Sequence, residues 1–451
     1  MQLTTRMIRR FPFTALATLT LSLQACSQSP QPVEGDLMLT GASLLDPATQ
    51  TQTQGTIIID DGRISAILDR APEVFEGEVI ELTDRWIMPG LVDMHTHSFG
   101  NRAPFAYGDS PGSQAISYRV QYAGVTAMLD LFGDEDTLYA VRERQRNGET
   151  GGAELLTSLS CLTATDGHCT EYGIPTRTID SPQEAVTVVD DLALRAPDVI
   201  KIVYQPSDDQ PSMDLETFRA TVHQARLHGI ATIVHIKTWQ DVRDSAQVGA
   251  DAVTHIPPGT MPDDVAQIMA EAGLAIIPTL AVHTELTDFI FSPEVIATPL
   301  AQAMTTPDIL AAYSSDRVST QWGNREPRWR AEDAIRLVSL HALAEAEVEI
   351  LAGTDGGNWG TIQGYSLHRE MIKLVEAGLT PWQALAAATT GPGEFLGRNF
   401  GLSVGDEANL LVLDASPLEN IAHTQSIHLV VQDGVVIDRD AALAASWQAE
   451  R

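Results

Sequence analysis

The stretch Met88-Pro89-Gly90-Leu91-Val92-Asp93-Met94-His95-Thr96-His97 runs an apolar strand directly into a His-x-His pair. Alternate side chains of a strand share a face, so His95 and His97 point the same way. Two imidazoles on one face at a strand end can hold a metal ion. Alone the pair is a weak sign, because solvated and core histidines are common. Its weight depends on whether other strands also end in ligand-type residues.

They do. Apolar strand candidates lie near 86–94, 125–131, 154–161, 198–204, 230–236, 251–255, 274–280 and 348–354. Helical patterns such as Leu215 to Leu227 and Pro262 to Ala272 fall between most of them. Strands alternating with helices predict an α/β fold with a parallel sheet, and eight of them favour a (β/α)8 TIM barrel over a doubly wound sheet. The fourth strand, Asp198 to Tyr204, carries Lys201 inside an apolar run. The fifth ends at His235, the sixth at His255, and the eighth runs into Asp355-Gly356-Gly357. Each residue has a bland reading: a core histidine, a snorkelling lysine, a turn-forming aspartate. Four histidines, a lysine and an aspartate at matching strand ends favour a metal site, at the barrel end where active sites sit. The connection from Ala281 to Arg330 is long and reads as a lid or binding loop.

Both ends of the chain read as short strands. Gly55 to Ile64 is a hairpin turning at Asp61-Gly62, and Val430 to Val436 is broken by Asp433-Gly434. A small β-sandwich built from both termini follows. The expected divisions are 1–25 signal peptide, 26–34 lipidated tether, 35–85 and 401–440 the two parts of the β-sandwich, 86–400 the barrel, and 441–451 a tail.

The first residues are basic at Arg6, Arg9 and Arg10, then apolar from Phe11 to Leu23, a run short for a membrane span. Leu23-Gln24-Ala25-Cys26 resembles a bacterial lipobox. The expectation is a protein acylated at Cys26 and facing the periplasm from the outer membrane; plain secretion is the alternative. Cys161 and Cys169 then remain, eight positions apart in an oxidising compartment, and are expected to form a disulfide rather than stay as buried thiols. With 60 acidic and 28 basic residues the net charge is −32, which argues against nucleic acid or an anionic lipid surface as a partner. Membrane contact is expected only through the lipid. Self-association stays open.

The chain resembles the amidohydrolase superfamily, and most of all its imidazolonepropionase-related, prolidase-like branch. The likeness is carried by residues 88–97, by Ala352-Gly353-Thr354-Asp355-Gly356, by Glu376 to Pro381, by Ala386 to Thr390 and by the strand from Leu410 to Asp414. It implies that His95 and His97 bind a buried metal and that His235 and His255 bind a second. Lys201, carboxylated, would bridge both, and Asp355 would touch the buried metal and carry protons. Such ligands suit Zn2+, with Mn2+ or Co2+ as alternatives. Deaminases on this fold use His-x-x-Glu; here His235 is followed by Ile236-Lys237-Thr238 and His255 by Ile256-Pro257-Pro258, so that glutamate is missing. The implied reaction is attack of a metal-bridging hydroxide on an amide or peptide carbonyl, with Asp355 passing the proton to the leaving amine. A dipeptidase is the lead expectation. A cyclic amide or lactone hydrolase is the enzymatic alternative, and a binding lipoprotein on the same barrel is the non-enzymatic one. Asp166-Gly167-His168 stands where prolidase-like relatives carry Gly-Gly-His, which implies that His168 hydrogen-bonds the substrate. Tyr204, just past Lys201, is a second substrate candidate, balanced against a core role.

Overall fold

In a computed structural model, residues 32–98, 100–107, 111–206 and 209–448 are described. The expected signal segment, Cys26 and most of the expected tether lie outside them. No helix among the described residues is long and apolar enough to cross a membrane.

Strands from both ends of the chain form one eight-stranded sheet. Val33–Asp46 pairs antiparallel with Thr51–Asp60 and parallel with Phe75–Glu81 and Trp86–Pro89. Trp86–Pro89 pairs on its other side with Leu410–Leu413, which continues to Ile427–Gln432. The hairpin of Thr51–Asp60 and Arg63–Leu68 turns through Asp61 and Gly62, both at positive φ, and Asp433 and Gly434 repeat that geometry. Two successive positive φ values match the twist of a tight hairpin, which is why Asp-Gly serves at both.

Two expected boundaries need correction. The first apolar run is two strands: Trp86–Pro89 belongs to the small sheet, and only Leu91–Thr96 enters the parallel one. The break falls at Gly90, where a Cβ would lie 2.3 Å from the Thr126 hydroxyl. The expected tail is largely a helix, Arg439–Gln448, packed on helix Ser113–Tyr122 with the Arg119 guanidinium 3.8 Å above the Trp447 ring.

The middle of the chain is a curled α/β layer. Leu91–Thr96, Val125–Asp130 and Glu154–Thr157 run parallel, as do Cys161–Thr163, Ile200–Val203, Thr232–His235, Ala252–Thr254 and Ala275–Ile277. The third run is thus also two strands, with Leu159 at positive φ between them. The eighth run forms no ladder, only single bridges, Ile350 to Ile276 and Gly356 to Thr96. It still touches both the first and the last strands of the series.

Nearly every strand residue is buried, as expected when both faces are covered, and the side chains alternate between two cores. Val92, Met94, Ala127, Leu129, Ile233 and Ile277 pack together inside the curl. Leu91, Met128, Ile202, Val234 and Ile276 pack outward against helices. Helices Glu135–Arg146, Pro182–Ala193, Leu215–Leu227 and Trp239–Val248 each begin at an Asp, Ser or Thr whose side chain accepts from a first-turn N–H. The long connection after Ala275–Ile277 folds into short helices, including Pro299–Met304, Pro307–Tyr313 and Asp316–Trp322, the first two packing into an apolar cluster shared with Ala103, Ile362 and Tyr365.

Candidate metal centre

His95, His97, Lys201, His235, His255 and Asp355 line one cavity of about 240 Å3 inside the curl, together with His168. The strand period places Lys201 and His235 there, whereas His95 and His97 follow a register shift that breaks the alternation with Val92 and Met94. Val199, inside the curl, sets the phase for Lys201, and Ile233 sets it for His235. Gly353 lets the last segment close up on the first strand, since a Cβ there would lie 2.8 Å from the His95 amide nitrogen. Asp93, buried one alternation before His95, accepts from the Thr354 hydroxyl at 2.6 Å and ties the two segments together.

The donors fall into two groups. In the first, Asp355 Oδ1 lies 3.0 Å from His97 Nε2 and 3.4 Å from His95 Nε2. One ligand atom from each of these residues lies within 4.8 Å of the others, close enough for a single ion. In the second, His255 Nε2 lies 3.2 Å from His235 Nδ1. The other ring nitrogens are held from behind: His95 Nδ1 by Thr254 Oγ1 at 2.8 Å, His97 Nδ1 by the Phe132 carbonyl at 3.2 Å, and His255 Nδ1 by Thr279 Oγ1 at 2.5 Å. Such partners fix ring orientation at metal sites. Asn358 Nδ2 donates to Asp355 Oδ1 at 2.8 Å.

Burial first, and the neighbouring histidines and Lys201 second, push His95, His235 and His255 well below the usual imidazole range, which favours the neutral rings. Burial lowers the Lys201 amine to about 7, against the opposing pull of Asp355. Burial would raise the Asp355 carboxyl, but the His97 hydrogen bond and the facing positive groups leave it lowered and ionised. Neutral imidazoles, an ionised carboxylate and a lysine that readily loses its proton are the states that metal ligation and amine carboxylation require.

The other sequence candidates divide. His168 lines the cavity, its Nδ1 is 2.7 Å from Glu171 Oε1, and its ring centre is 4.7 Å from that of His235. Cys161 and Cys169 are disulfide-bonded, with Cα atoms 7.0 Å apart, and Cys169 also lines the cavity. Tyr204 is not at the site. Its ring stacks on Phe218 at 4.3 Å and its hydroxyl donates to Asp244 at 2.9 Å, in the outer core. The strand period explains this, because a residue three after inward Lys201 faces outward.

Sequence reading missed His283, Tyr172 and Asn358, which also line the cavity. They stand on connections, where no periodicity marks them. His283 lies in the long connection read as a binding loop, its Nε2 is sealed from solvent with no hydrogen-bond partner among the described residues, and its ring centre is 5.4 Å from that of His255. A larger hollow of about 510 Å3 lies near Arg63, Arg142 and Arg398. Its arginines are engaged by Asp198, Glu154 and Glu407 or by backbone carbonyls, and none of the candidate metal ligands lines it.

A conserved sequence model of the amidohydrolase family matches residues 86–437. The chain belongs to the amidohydrolase family. An uncharacterised protein of Mycobacterium bovis is 26% identical over 388 residues, spanning 83% of this chain and 90% of its own length. A dihydroorotase of Anaeromyxobacter dehalogenans is 21% identical over 415 residues, spanning 84% and 88%. In fold the chain is similar to a Xaa-Pro dipeptidase with bound methionine in its active site, with a TM-score of 0.70 at 20% identity, covering 89% of this chain and 99% of that one. A hydrolase acting on C–N bonds is consistent with this family and these relatives.

Proposed function

We propose that the protein hydrolyses the C–N bond of short peptides or other small amides, using two divalent cations held at the strand ends of a (β/α)8 barrel. Zn2+ is the first choice on ligand chemistry, with Mn2+ or Co2+ as alternatives. The observation that carries the reading is Lys201. Its Nζ is buried, makes no hydrogen bond among the described residues, and acts electrostatically on His95, His235, His255 and Asp355. A buried unpartnered amine in a cavity of imidazoles is costly as it stands. Carboxylated by CO2 with loss of a proton, it would become an anion with two oxygens, one available to each group of ligands.

Cations so held would polarise the substrate carbonyl and acidify a bound water. The protein's own groups do the rest. His95, His97 and Asp355 hold one position, and His235 and His255 the other. Asp355 accepts a proton at its carboxylate, steadied by Asn358 Nδ2, and returns it to the leaving nitrogen. His168, on the cavity wall, hydrogen-bonds the substrate. The dihydroorotase likeness favours a second reading, in which the scissile bond belongs to a cyclic amide.

Metal analysis of the purified protein and a panel of dipeptides and cyclic amides test both readings. About two ions per chain and turnover of one substrate class are expected. A single ion with full activity would exclude the dinuclear site. No hydrolysis by the metal-loaded protein would exclude the reaction. The location is a separate proposal resting on the lipobox: Cys26→Ala should move the protein out of the membrane fraction, and a wild type found wholly soluble would refute the anchor.

A further inference from the structure

Two large aromatic side chains remain half exposed beside the metal cavity, Tyr172 at 43% and Trp359 at 41%. Both line a hollow of about 390 Å3. That hollow shares Tyr172, Val282 and Asn358 with the cavity, so it is the cavity's outward continuation. Rings step from the ligands to it: Phe132 lies 6.3 Å from His97, and Tyr172 lies 6.0 Å from Phe132. On the far side Trp359 is backed by Trp322 at 6.0 Å, itself packed on Phe105 at 5.4 Å and Trp329 at 5.8 Å. A backed tryptophan cannot easily turn away from water, so its open face is available to a ligand. Among the described lining residues of the hollow none is acidic, in a chain with 60 acidic residues. Half-exposed aromatics beside a ligand pocket are binding surfaces for flat apolar groups.

We infer that the preferred substrates are aryl-bearing amides, with the reacting carbonyl at the metal ligands and the aromatic group between Tyr172 and Trp359. This rests on the hydrolytic reading, because only that reading fixes the reacting end in the cavity. Asn358 belongs to both spaces and marks the passage between them.

The test uses the metal-loaded full chain in two arms. The first compares hydrolysis of matched pairs: benzoylglycine against acetylglycine, and acetylphenylalanine against acetylalanine. The second measures calorimetric binding of 3-phenylpropylphosphonate against methylphosphonate, which needs no turnover. An aryl preference of about 10-fold or more is expected in binding, and in kcat/KM for at least one pair. Trp359→Ala and Tyr172→Ala should each reduce that preference, chiefly through KM, with metal content retained. Equal binding of the two phosphonates, or a preference untouched by both variants, would overturn the inference. Aryl preference in binding without any hydrolysis would defeat the hydrolytic reading and leave the aromatic site standing. Hydrolysis without aryl preference in either arm would do the reverse.

Discussion

At the scale of the residue, the proposed metal site turns on Lys201 and Asp355. Lys201→Ala removes the proposed bridging group and should abolish turnover; short-chain carboxylic acids, which can stand in for a carbamate, should restore part of it. Full activity in the variant without added acid would remove Lys201 from the site. Asp355→Asn keeps the shape and one oxygen for the proposed metal but loses the proposed proton acceptor. Turnover should fall by ~10²–10⁴ with part of the metal retained, and near wild-type rates would assign the proton to another group. These residues were legible because a strand puts every second side chain on one face and the chain repeats that device at several strand ends. The same rule, applied strictly, would have turned Tyr204 outward, away from inward-facing Lys201. His283, Tyr172 and Trp359 were not legible, because connections carry no period, and their approach to the cavity depends on how distant segments fold over it.

At the scale of the element, the disulfide ties Cys161–Thr163 to the turn that carries His168. Cys161→Ser with Cys169→Ser should raise KM more than it lowers Tm, because a loop this short adds at most ~2–3 kcal/mol by chain entropy whereas His168 loses its fixed position. Two titratable thiols in the unreduced wild type would show that the bond does not form. A second element is locked by His368 on helix Tyr365–Glu376. Its Nε2 donates to the Ala123 carbonyl and its Nδ1 lies 2.9 Å from Thr424 Oγ1, which reads as a structural tie. Burial lowers this imidazole from 6.5 to about 4. A depressed folded value means that the stability is fully present above about pH 6.5 and is lost as pH falls toward 4. His368→Gln should therefore be less stable than wild type at about pH 7.5, with the gap narrowing by roughly 2–3 kcal/mol at about pH 4.5 in denaturant melts. A gap that stays constant would show that His368 does not carry this dependence. Element types were largely legible, but boundaries failed where one apolar run served two sheets, because hydrophobicity does not say which neighbour a strand pairs with.

At the scale of the whole molecule, a net charge of −32 sets a self-repulsion that no single ion pair offsets. Raising sodium chloride from about 0.01 M to 0.5 M shortens the Debye length from about 30 Å to a few ångström, and Tm should rise. A flat or falling Tm would mean that the surface charges are already compensated. The division into a small sheet and a curled α/β body was visible in the placement of β-rich ends around an alternating middle. The small sheet has one more consequence, in the order of synthesis. Trp86–Pro89 has Val33–Asp46 on one side and Leu410–Leu413 on the other. The second partner emerges more than three hundred residues later. Until then the early half of the sheet presents an apolar open edge, the kind that recruits strands from other chains. Leu410–Leu413 and the strand paired to it therefore cover that edge, and a chain truncated before them is expected to aggregate.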